Sequence, residues 1–311
     1  MMIKDIKEEG KISLLCLITK CEKGKTQKET PYLSLNLEDA SGLLDAKFWN
    51  LTEEQVGKYK VGMVVEATGD VIIHRGAIQL RVRSLTPKPE EDMSQFVRQA
   101  PMNRMELEQS ISNLIEQMKD GVVKDVLVAV LEKNKHDYYS YPAATKNHHA
   151  FPGGLAYHSL CMAKMAICVS EQYPFLDIDL LIAGILLHDV GKIKEFTQPV
   201  LPEYSIEGNL LGHITIVACM IDEASKELGV QDDEDVLLMK HMVLSHHGKM
   251  EYGSPVLPMI PEAEVLSLLD NLDSRMFMMK ESLDATQPGK FGPRVFALEN
   301  RMLYKRKKGN E

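Results

Sequence analysis

Alternating hydrophobic and polar positions dominate the first 85 residues and indicate β-strands. The alternating runs are KISLLCLITKC (11–21), YLSLNLEDASGLLDAKFW (32–49) and VGMVVEATGDVIIHRGAIQLRVRSL (61–85). Turn signals at 39–42 and 69–70 divide the last two runs into strand pairs. The segment 51–60 is typical of a short helix or a loop. Five strands with a helical insert after the third predict a small five-stranded β-barrel over residues 1–88.

The pattern changes to apolar residues three and four positions apart after an acidic, proline-containing segment, TPKPEEDMS (86–94). That spacing is typical of amphipathic helices. We therefore predict a linker over residues 89–102 and an all-α helical bundle over residues 103–311. Its main helices are expected near 154–172, 179–188, 210–228, 234–245 and 261–279. The fold class is thus multi-domain α and β, a barrel followed by a bundle.

Composition indicates an ordinary water-soluble chain of 311 residues, with 44% hydrophobic and 26% charged positions. No apolar run approaches the ~18 residues that span a membrane. The amino-terminal MMIKDIKEEGK has no apolar signal core, so we expect a cytoplasmic protein without a membrane partner. The five cysteines are odd in number and form no CxxC pair. We expect them to be reduced core residues and to form neither disulfides nor a thiolate metal site.

The net charge of −9 is unevenly distributed along the chain. Residues 1–88 carry 14 basic and 12 acidic side chains, whereas the remainder carries 22 and 33. An acidic domain can still bind phosphates when bound metal ions supply positive charge locally. The overall charge therefore does not exclude a nucleic-acid partner.

Histidines and aspartates recur at the predicted helix ends and inner faces of the bundle. The first sign is LLHDVGK (186–192), where two ionisable residues directly follow an apolar helix. Each position alone fits a hydrogen-bonded core residue or a helix cap. Their repetition favours a metal site, because imidazole and carboxylate suit manganese, iron, zinc and related ions. The candidate ligands are His158, His188, Asp189, His213, His246, His247 and Asp270.

The order of these residues, and the run HDVGK in particular, resembles the HD-domain metal phosphohydrolases. The additional histidines at 213, 246 and 247 resemble the subset that binds two metals. With the barrel and the segment NHHAFPGGLAYH (147–158), nearly the whole chain resembles the YhaM-type 3′-5′ exoribonucleases. In that family the barrel is an OB-fold. The resemblance implies an OB-fold nucleic-acid-binding domain (1–88), a linker (89–102) and a helical HD phosphohydrolase domain (103–311).

The resemblance also implies two ligand sets that share Asp189 as a bridge. One ion is expected on His158, His188, Asp189 and Asp270, and a second on Asp189, His213, His246 and His247. Mn²⁺ is the expected ion, with Fe²⁺, Co²⁺ and Zn²⁺ as alternatives. Asp273 lies one turn beyond Asp270 and is either a competing ligand or a hydrogen-bond acceptor behind the site.

Such a pair of ions would activate a hydroxide that attacks phosphorus. We expect Asp189 and Lys192 to be catalytic, with the Lys192 ammonium on a phosphate oxygen. His148 and His149 are expected to line the substrate entrance. On the barrel, base stacking and backbone contacts are expected from Tyr32, Trp49, Arg75 and Arg81. Each of these residues also has an interpretation without a functional role. Lys192 could be a surface lysine, and the loop histidines could form only local hydrogen bonds.

The expected activity is hydrolysis of phosphodiester bonds at the 3′ end of single-stranded RNA, with release of nucleoside 5′-monophosphates. This direction and the choice of RNA come from the resemblance, and single-stranded DNA stays open as a substrate. The alternatives are an HD-type phosphohydrolase of small or cyclic nucleotides and a non-catalytic RNA-binding protein with structural metals. The apolar helices at 103–134 leave a homo-oligomer open.

Overall fold

The computed structural model describes residues 1–74, 77–145 and 149–307, and the chain divides into the units Met1–Gln99 and Ala100–Glu311. The first unit is built on five strands: β1 (Gly10–Lys25), β2 (Pro31–Asp39), β3 (Gly42–Phe48), β4 (Val64–His74) and β5 (Ala77–Pro87). They close into a barrel in the order β1-β2-β3-β5-β4. Neighbouring strands are antiparallel except for β3 and β5, which pair in parallel. The predicted five-stranded barrel is confirmed, but the turn expected at 69–70 is wrong, because these residues lie inside β4, where the pairing with β5 has an irregularity at Thr68 and Gly69.

The barrel interior follows directly from the alternation in the sequence. Leu33, Leu35 and Leu37 of β2 are fully buried, and the residues between them face outward. The insert after β3 is a short helix, α1 (Glu53–Gly57), which begins at the capping residue Thr52. Beyond β5, residues 93–96 form a 3-10 helix whose Phe96 is buried. The first unit therefore extends to Gln99, into the segment predicted as a linker.

The second unit is mainly helical. Its helices are α2 (Arg104–Glu116), α3 (Val122–Lys133), α4 (Lys135–Tyr138), α5 (Gly154–Gln172), α6 (Ile178–Leu187), α7 (Lys192–Glu195), α8 (Ile206–Leu228), α9 (Glu234–Ser245) and α10 (Pro261–Asp284). Residues 180–187 of α6 are all buried, so this apolar helix is central to the core. The predicted helical bundle is confirmed.

Local signals set the helix boundaries that later position the site. Asp177, Ser205 and Asp233 cap α6, α8 and α9 by accepting backbone N–H groups. Helix α8 is interrupted at Gly212, whose φ of 69° lies in the left-handed region that glycine tolerates. The kink changes the direction of the chain directly before His213.

The second unit also contains an element that the pattern does not predict. Strands β6 (Phe291–Val295) and β7 (Arg301–Tyr304) form an antiparallel hairpin that packs against α10. Glu299 and Asn300, in the connection between the strands, both adopt positive φ. The basic carboxy-terminal segment thus begins inside a folded hairpin.

The five cysteines are free, as expected, but they are not all core residues. Cys16 is buried in the barrel, whereas Cys168 and Cys219 are exposed, so the expectation is wrong for these two. No helix among the described residues is both long enough and apolar enough to cross a lipid bilayer.

Candidate metal centre

The seven predicted ligands are brought together by five segments of the second unit. His158 lies in the second turn of α5, and His188 and Asp189 directly follow α6. His213 follows the kink of α8, His246 and His247 follow α9, and Asp270 lies within α10. Helix ends thus place most of these side chains, as the sequence indicates.

Asp189 lies at the centre of the cluster. Its Oδ2 is 3.3 Å from His188 Nε2, and its Oδ1 is 3.4 Å from His213 Nε2 and 3.9 Å from His246 Nε2. Its two oxygens therefore face different histidines. On one side of the cluster, His158 Nε2 is 3.2 Å from Asp270 Oδ1.

The donor atoms form three overlapping groups in which all atoms lie within 4.8 Å of one another. These groups are His158 with His188 and Asp270, His188 with Asp189 and His246, and His213 with His246 and His247. All seven predicted ligands belong to this chain of groups. A fourth group, of His149, His158 and Asp273, lies behind it.

Hydrogen bonds to backbone carbonyls orient two of the histidines. Nδ1 of His188 lies 2.7 Å from the Ile185 carbonyl oxygen, and Nδ1 of His246 lies 2.6 Å from that of Val243. A carbonyl oxygen only accepts, so each Nδ1 carries a proton and Nε2 is the atom that has the lone pair in the neutral imidazole. Burial, the largest influence, holds the pKa of His246 well below its usual value, so this imidazole is neutral.

His213 is oriented by Glu195, a residue that the sequence analysis missed. Glu195 Oε1 accepts from both the backbone N–H and Nδ1 of His213, each at 3.0 Å. Burial alone would raise the pKa of Glu195, but the bonds from His213 outweigh it and lower the pKa. The carboxylate is therefore ionised and leaves Nε2 of His213 as the lone-pair atom. A carboxylate three residues after Lys192, on the same face of α7, was the available signal.

Four buried polar atoms at the centre have no hydrogen-bond partner among the described residues. They are Nε2 of His188, His213 and His246, together with Asp189 Oδ1. Burying such atoms unpaired costs free energy, and a few at one place call for an explanation. Three imidazole nitrogens around one carboxylate form the donor set of a divalent cation. The residues present therefore fit a metal centre.

Asp273 lies behind the centre and binds two histidines. Its Oδ2 is 2.7 Å from His158 Nδ1 and 2.7 Å from His149 Nε2. Burial alone would lower the pKa of His158, but Asp270 and Asp273 outweigh it and raise the pKa to about 9. With Nδ1 directed at Asp273, His158 presents Nε2 to Asp270. The geometry favours the hydrogen-bonding role of Asp273 over a role as a competing ligand.

The loop residue His149 is not placed at the cleft surface. His149 is only 2% exposed, has a left-handed backbone (φ 50°) and bonds to Asp273, which turns its ring inward. The expectation that it lines the substrate entrance does not match this position. His148 lies outside the described residues.

Lys192 is buried beside Asp189, with Nζ 2.6 Å from Oδ2. Burial alone would lower the pKa of this ammonium, but the Asp189 carboxylate outweighs it, so the pKa is raised and the side chain is charged. The same pair holds the pKa of Asp189 well below its usual range, although burial opposes this. The ammonium therefore lies at the centre, in the region predicted for it.

The centre opens into a cleft of about 840 Å³. Asp189, Lys192, His246 and Asp270 lie at its inner end. One face of α10 forms a wall that includes Ser267, Asn271, Ser274 and Arg275. The cleft is polar and large enough for part of an oligonucleotide.

The barrel carries a second candidate site, on the outer face of β2, β3 and β5. The rings of Tyr32 and Trp49 lie with their centroids 4.5 Å apart. Lys47 Nζ lies 5.9 Å from the centroid of the Tyr32 ring, and Lys47 is in register with Arg81 of β5. Phe48 packs against the barrel core, so Trp49 is the outward member of the adjacent pair. Arg75 lies outside the described residues.

Gly24 makes room for this aromatic pair. A Cβ at this position would lie 2.4 Å from the Tyr32 ring, so the ring covers the bare backbone of β1. One exposed face thus combines two aromatic rings with two basic side chains.

Comparisons with known proteins agree with this division of the chain. The sequence model of the HD domain family matches residues 155–275, and that of an OB-fold nucleic acid binding domain family matches residues 17–87. The chain is 41% identical over 308 residues to the 3′-5′ exoribonuclease YhaM of Bacillus subtilis (strain 168), covering 98% of this chain and 97% of that protein.

Two solved structures show weaker likeness. The protein priB from Ralstonia solanacearum is 13% identical, with a TM-score of 0.23 over 25% of this chain and 97% of its own. RecG bound to a three-way DNA junction is 18% identical, with a TM-score of 0.25 over 63% of this chain and 26% of its own. TM-scores of this size do not establish a common fold.

The close approach at Gly191 gives a prediction about stability. A Cβ on this residue would lie 2.4 Å from the His213 carbonyl oxygen, so Gly191→Ala must push apart the two segments that carry Asp189 and His213. We expect a loss of about 1–3 kcal/mol in the free energy of unfolding, measured by urea denaturation. Gly57→Ala, where a Cβ meets no atom within 4 Å, is the control and should change little. Equal stability of the two variants would contradict the packing described.

Proposed function

The chain belongs to the family of YhaM-type 3′-5′ exoribonucleases, and from this we propose that it shortens single-stranded RNA from the 3′ end and releases nucleoside 5′-monophosphates. It is a hydrolase with an HD domain and an OB-fold nucleic-acid-binding domain. The observation that carries the proposal is the set of four buried, unpaired donor atoms around Asp189 at the inner end of an open cleft. Single-stranded DNA is the competing substrate.

HD domains depend on metal ions, and we propose that this one binds two. His158, His188, Asp189 and Asp270 would hold the first ion. Asp189, His213, His246 and His247 would hold the second. The division is supported by Asp189, whose two oxygens face different histidines. When bound, the ions would polarise a phosphoryl oxygen and lower the pKa of water.

We propose Mn²⁺ as the ion, with Fe²⁺, Co²⁺ and Zn²⁺ as alternatives. The donors are imidazole nitrogens and carboxylate oxygens without a thiolate, which suits these ions. The nitrogen-rich set argues against Mg²⁺ and Ca²⁺, which prefer oxygen ligands.

Asp189 and Lys192 are the proposed catalytic residues. The Asp189 carboxylate would bridge the ligand sets, and the Lys192 ammonium would stabilise charge on a phosphate oxygen of the substrate. The salt bridge of 2.6 Å holds Lys192 directly beside the centre. A buried, charged lysine stabilises a developing negative charge more strongly there than in water, because the local dielectric constant is lower.

The outer face of the barrel is the proposed binding site for the RNA strand. Aromatic rings stack on bases of any sequence, and basic residues follow the backbone. Tyr32 and Trp49 would provide the stacking surface, and Lys47 and Arg81 the charge. We keep residues 1–88, 89–102 and 103–311 as the proposed functional domains. Self-association through the apolar helices stays a prediction.

The decisive experiment is incubation of the full-length protein with 5′-labelled single-stranded RNA. We expect a ladder that shortens from the 3′ end and depends on added Mn²⁺. Asp189→Asn should abolish it while RNA binding persists, because the barrel is untouched. Asp232→Asn, in an exposed loop, is the control. Hydrolysis of only small or cyclic nucleotides, or binding without hydrolysis, would contradict the proposal.

The different roles of Asp270 and Asp273 in α10 predict different metal contents for their variants. Asp270→Asn should lose one bound ion per chain. Asp273→Asn should retain both ions but bind the first about 10–100-fold more weakly, since only the orientation of His158 is lost. Elemental analysis of each variant at increasing Mn²⁺ measures both effects. Asp284→Asn, at the exposed end of the same helix, is the control. If Asp273→Asn loses an ion and Asp270→Asn does not, Asp273 is the ligand and Asp270 is the residue that orients His158.

The barrel surface predicts a fluorescence signal, because Trp49 is the single tryptophan of the chain. Binding of an oligoribonucleotide should quench its emission. Trp49→Ala should weaken binding by about 1–3 kcal/mol, measured by anisotropy of a labelled RNA. Leu43→Ala removes another exposed apolar side chain of β3 and serves as the control. Unchanged emission together with unchanged affinity would place the RNA elsewhere.

A further inference from the structure

The cleft extends beyond the metal centre along α10. Ser267, Asn271 and Arg275 lie four residues apart and form one stripe of its wall. Arg275 is five residues beyond Asp270, which corresponds to about 7.5 Å along the helix axis. The wall therefore continues past the proposed position of the reacting phosphate, in the direction of Arg275.

Arg275 is held there by an acidic residue of the hairpin. Its two terminal nitrogens donate to the two oxygens of Glu299, at 2.7 and 2.9 Å. This two-pronged geometry is the one that a guanidinium also makes with a phosphate. Glu299 lines the same cleft and lies in the β6–β7 connection.

Glu299 has a second basic partner. Arg301 Nη2 lies 2.9 Å from its Oε2. Two arginines thus share one carboxylate, and the cluster carries a net positive charge. If Arg275 released Glu299, the carboxylate would keep Arg301 as its partner.

The pair of Arg275 and Glu299 is exposed enough to exchange. The Glu299 side chain is 61% accessible, whereas that of Arg275 is 28% accessible. Salt bridges with one partner so open to water contribute little to stability, because water competes for both charges. An RNA phosphate can therefore replace the carboxylate at little cost.

We propose that Arg275 binds a backbone phosphate of the RNA upstream of the scissile bond, and that Glu299 occupies the guanidinium until the RNA displaces it. The inference rests on the proposed function, because it adds a subsite for the same strand. A phosphate contact carries no base information, so this subsite favours a nucleic-acid chain over a mononucleotide without selecting sequence.

The two residues should respond with opposite signs. Arg275→Ala should weaken binding of a labelled decaribonucleotide about tenfold and raise KM similarly, because a charge-assisted bidentate contact is lost. Glu299→Gln should strengthen binding by up to about fivefold, because a competitor is removed. In the double variant, Glu299→Gln should add nothing, since the arginine it competes for is absent. Equilibrium anisotropy in EDTA and steady-state kinetics with Mn²⁺ measure both.

The control is Arg294→Ala, which removes one exposed charge from β6 outside the cleft lining and should stay within about twofold of the wild type. The slope of log affinity against log salt should fall by about 1 for Arg275→Ala. A gain of affinity in Glu299→Gln cannot come from failure to fold.

The outcomes separate the two proposals. If the wild type shortens RNA but Glu299→Gln binds as weakly as Arg275→Ala, the pair only braces the hairpin and the inference is wrong. The inference is also wrong if Arg275→Ala behaves like Arg294→Ala. If the wild type neither binds nor shortens RNA, the proposed function itself is wrong.

Discussion

The second unit is organised around one constraint, the pairing of the buried carboxylate of Asp189. Its oxygens are approached by three imidazoles and one ammonium, and the ammonium donates a hydrogen bond to Oδ2. A buried anion of this kind is tolerated only with strong opposite charge nearby. The central helix α6, the kink at Gly212 and the end of α9 all serve to deliver groups to this carboxylate. The apolar core of the unit therefore holds these charged and polar groups around Asp189, although apolar packing by itself would not need them.

Behind the centre, four histidines are oriented by two kinds of acceptor, backbone carbonyls and carboxylates. Backbone carbonyls hold His188 and His246, Glu195 holds His213, and Asp273 holds His158. Carbonyl acceptors come with the helix end itself, because the ring reaches back to the residue three positions earlier. Carboxylate acceptors must be supplied from elsewhere in the chain. A carboxylate acceptor therefore constrains the fold more than a carbonyl acceptor, because it requires two distant segments to meet.

That difference explains which parts of the site the sequence revealed. The alternation of β2 and the apolar run of α6 predicted the barrel and the central helix, because burial patterns are local. The candidate ligands at 188, 189, 246 and 247 were recognisable because they fall at helix ends close to Gly191 and Gly248. Glu195 was missed because its partner His213 is 18 residues away and only the kink brings them together. His149 was expected at the substrate entrance, but it has a left-handed backbone and its ring is buried against Asp273. The hydrophobic pattern of the sequence does not indicate this position. The hairpin escaped notice because Gly292, Pro293 and charged residues interrupt any alternation.

The contacts of α10 with α5 have a consequence for how the molecule assembles. His158 meets Asp270 across 112 residues and Asp273 across 115, while Asp273 also reaches His149 across 124. Bringing together residues this far apart in the chain costs conformational entropy, and the contacts form only after that entropy is lost. The candidate metal centre is therefore complete only when α10 is docked onto α5. Detachment of α10 would separate the Asp270 carboxylate from His158 and leave that side of the candidate metal centre incomplete.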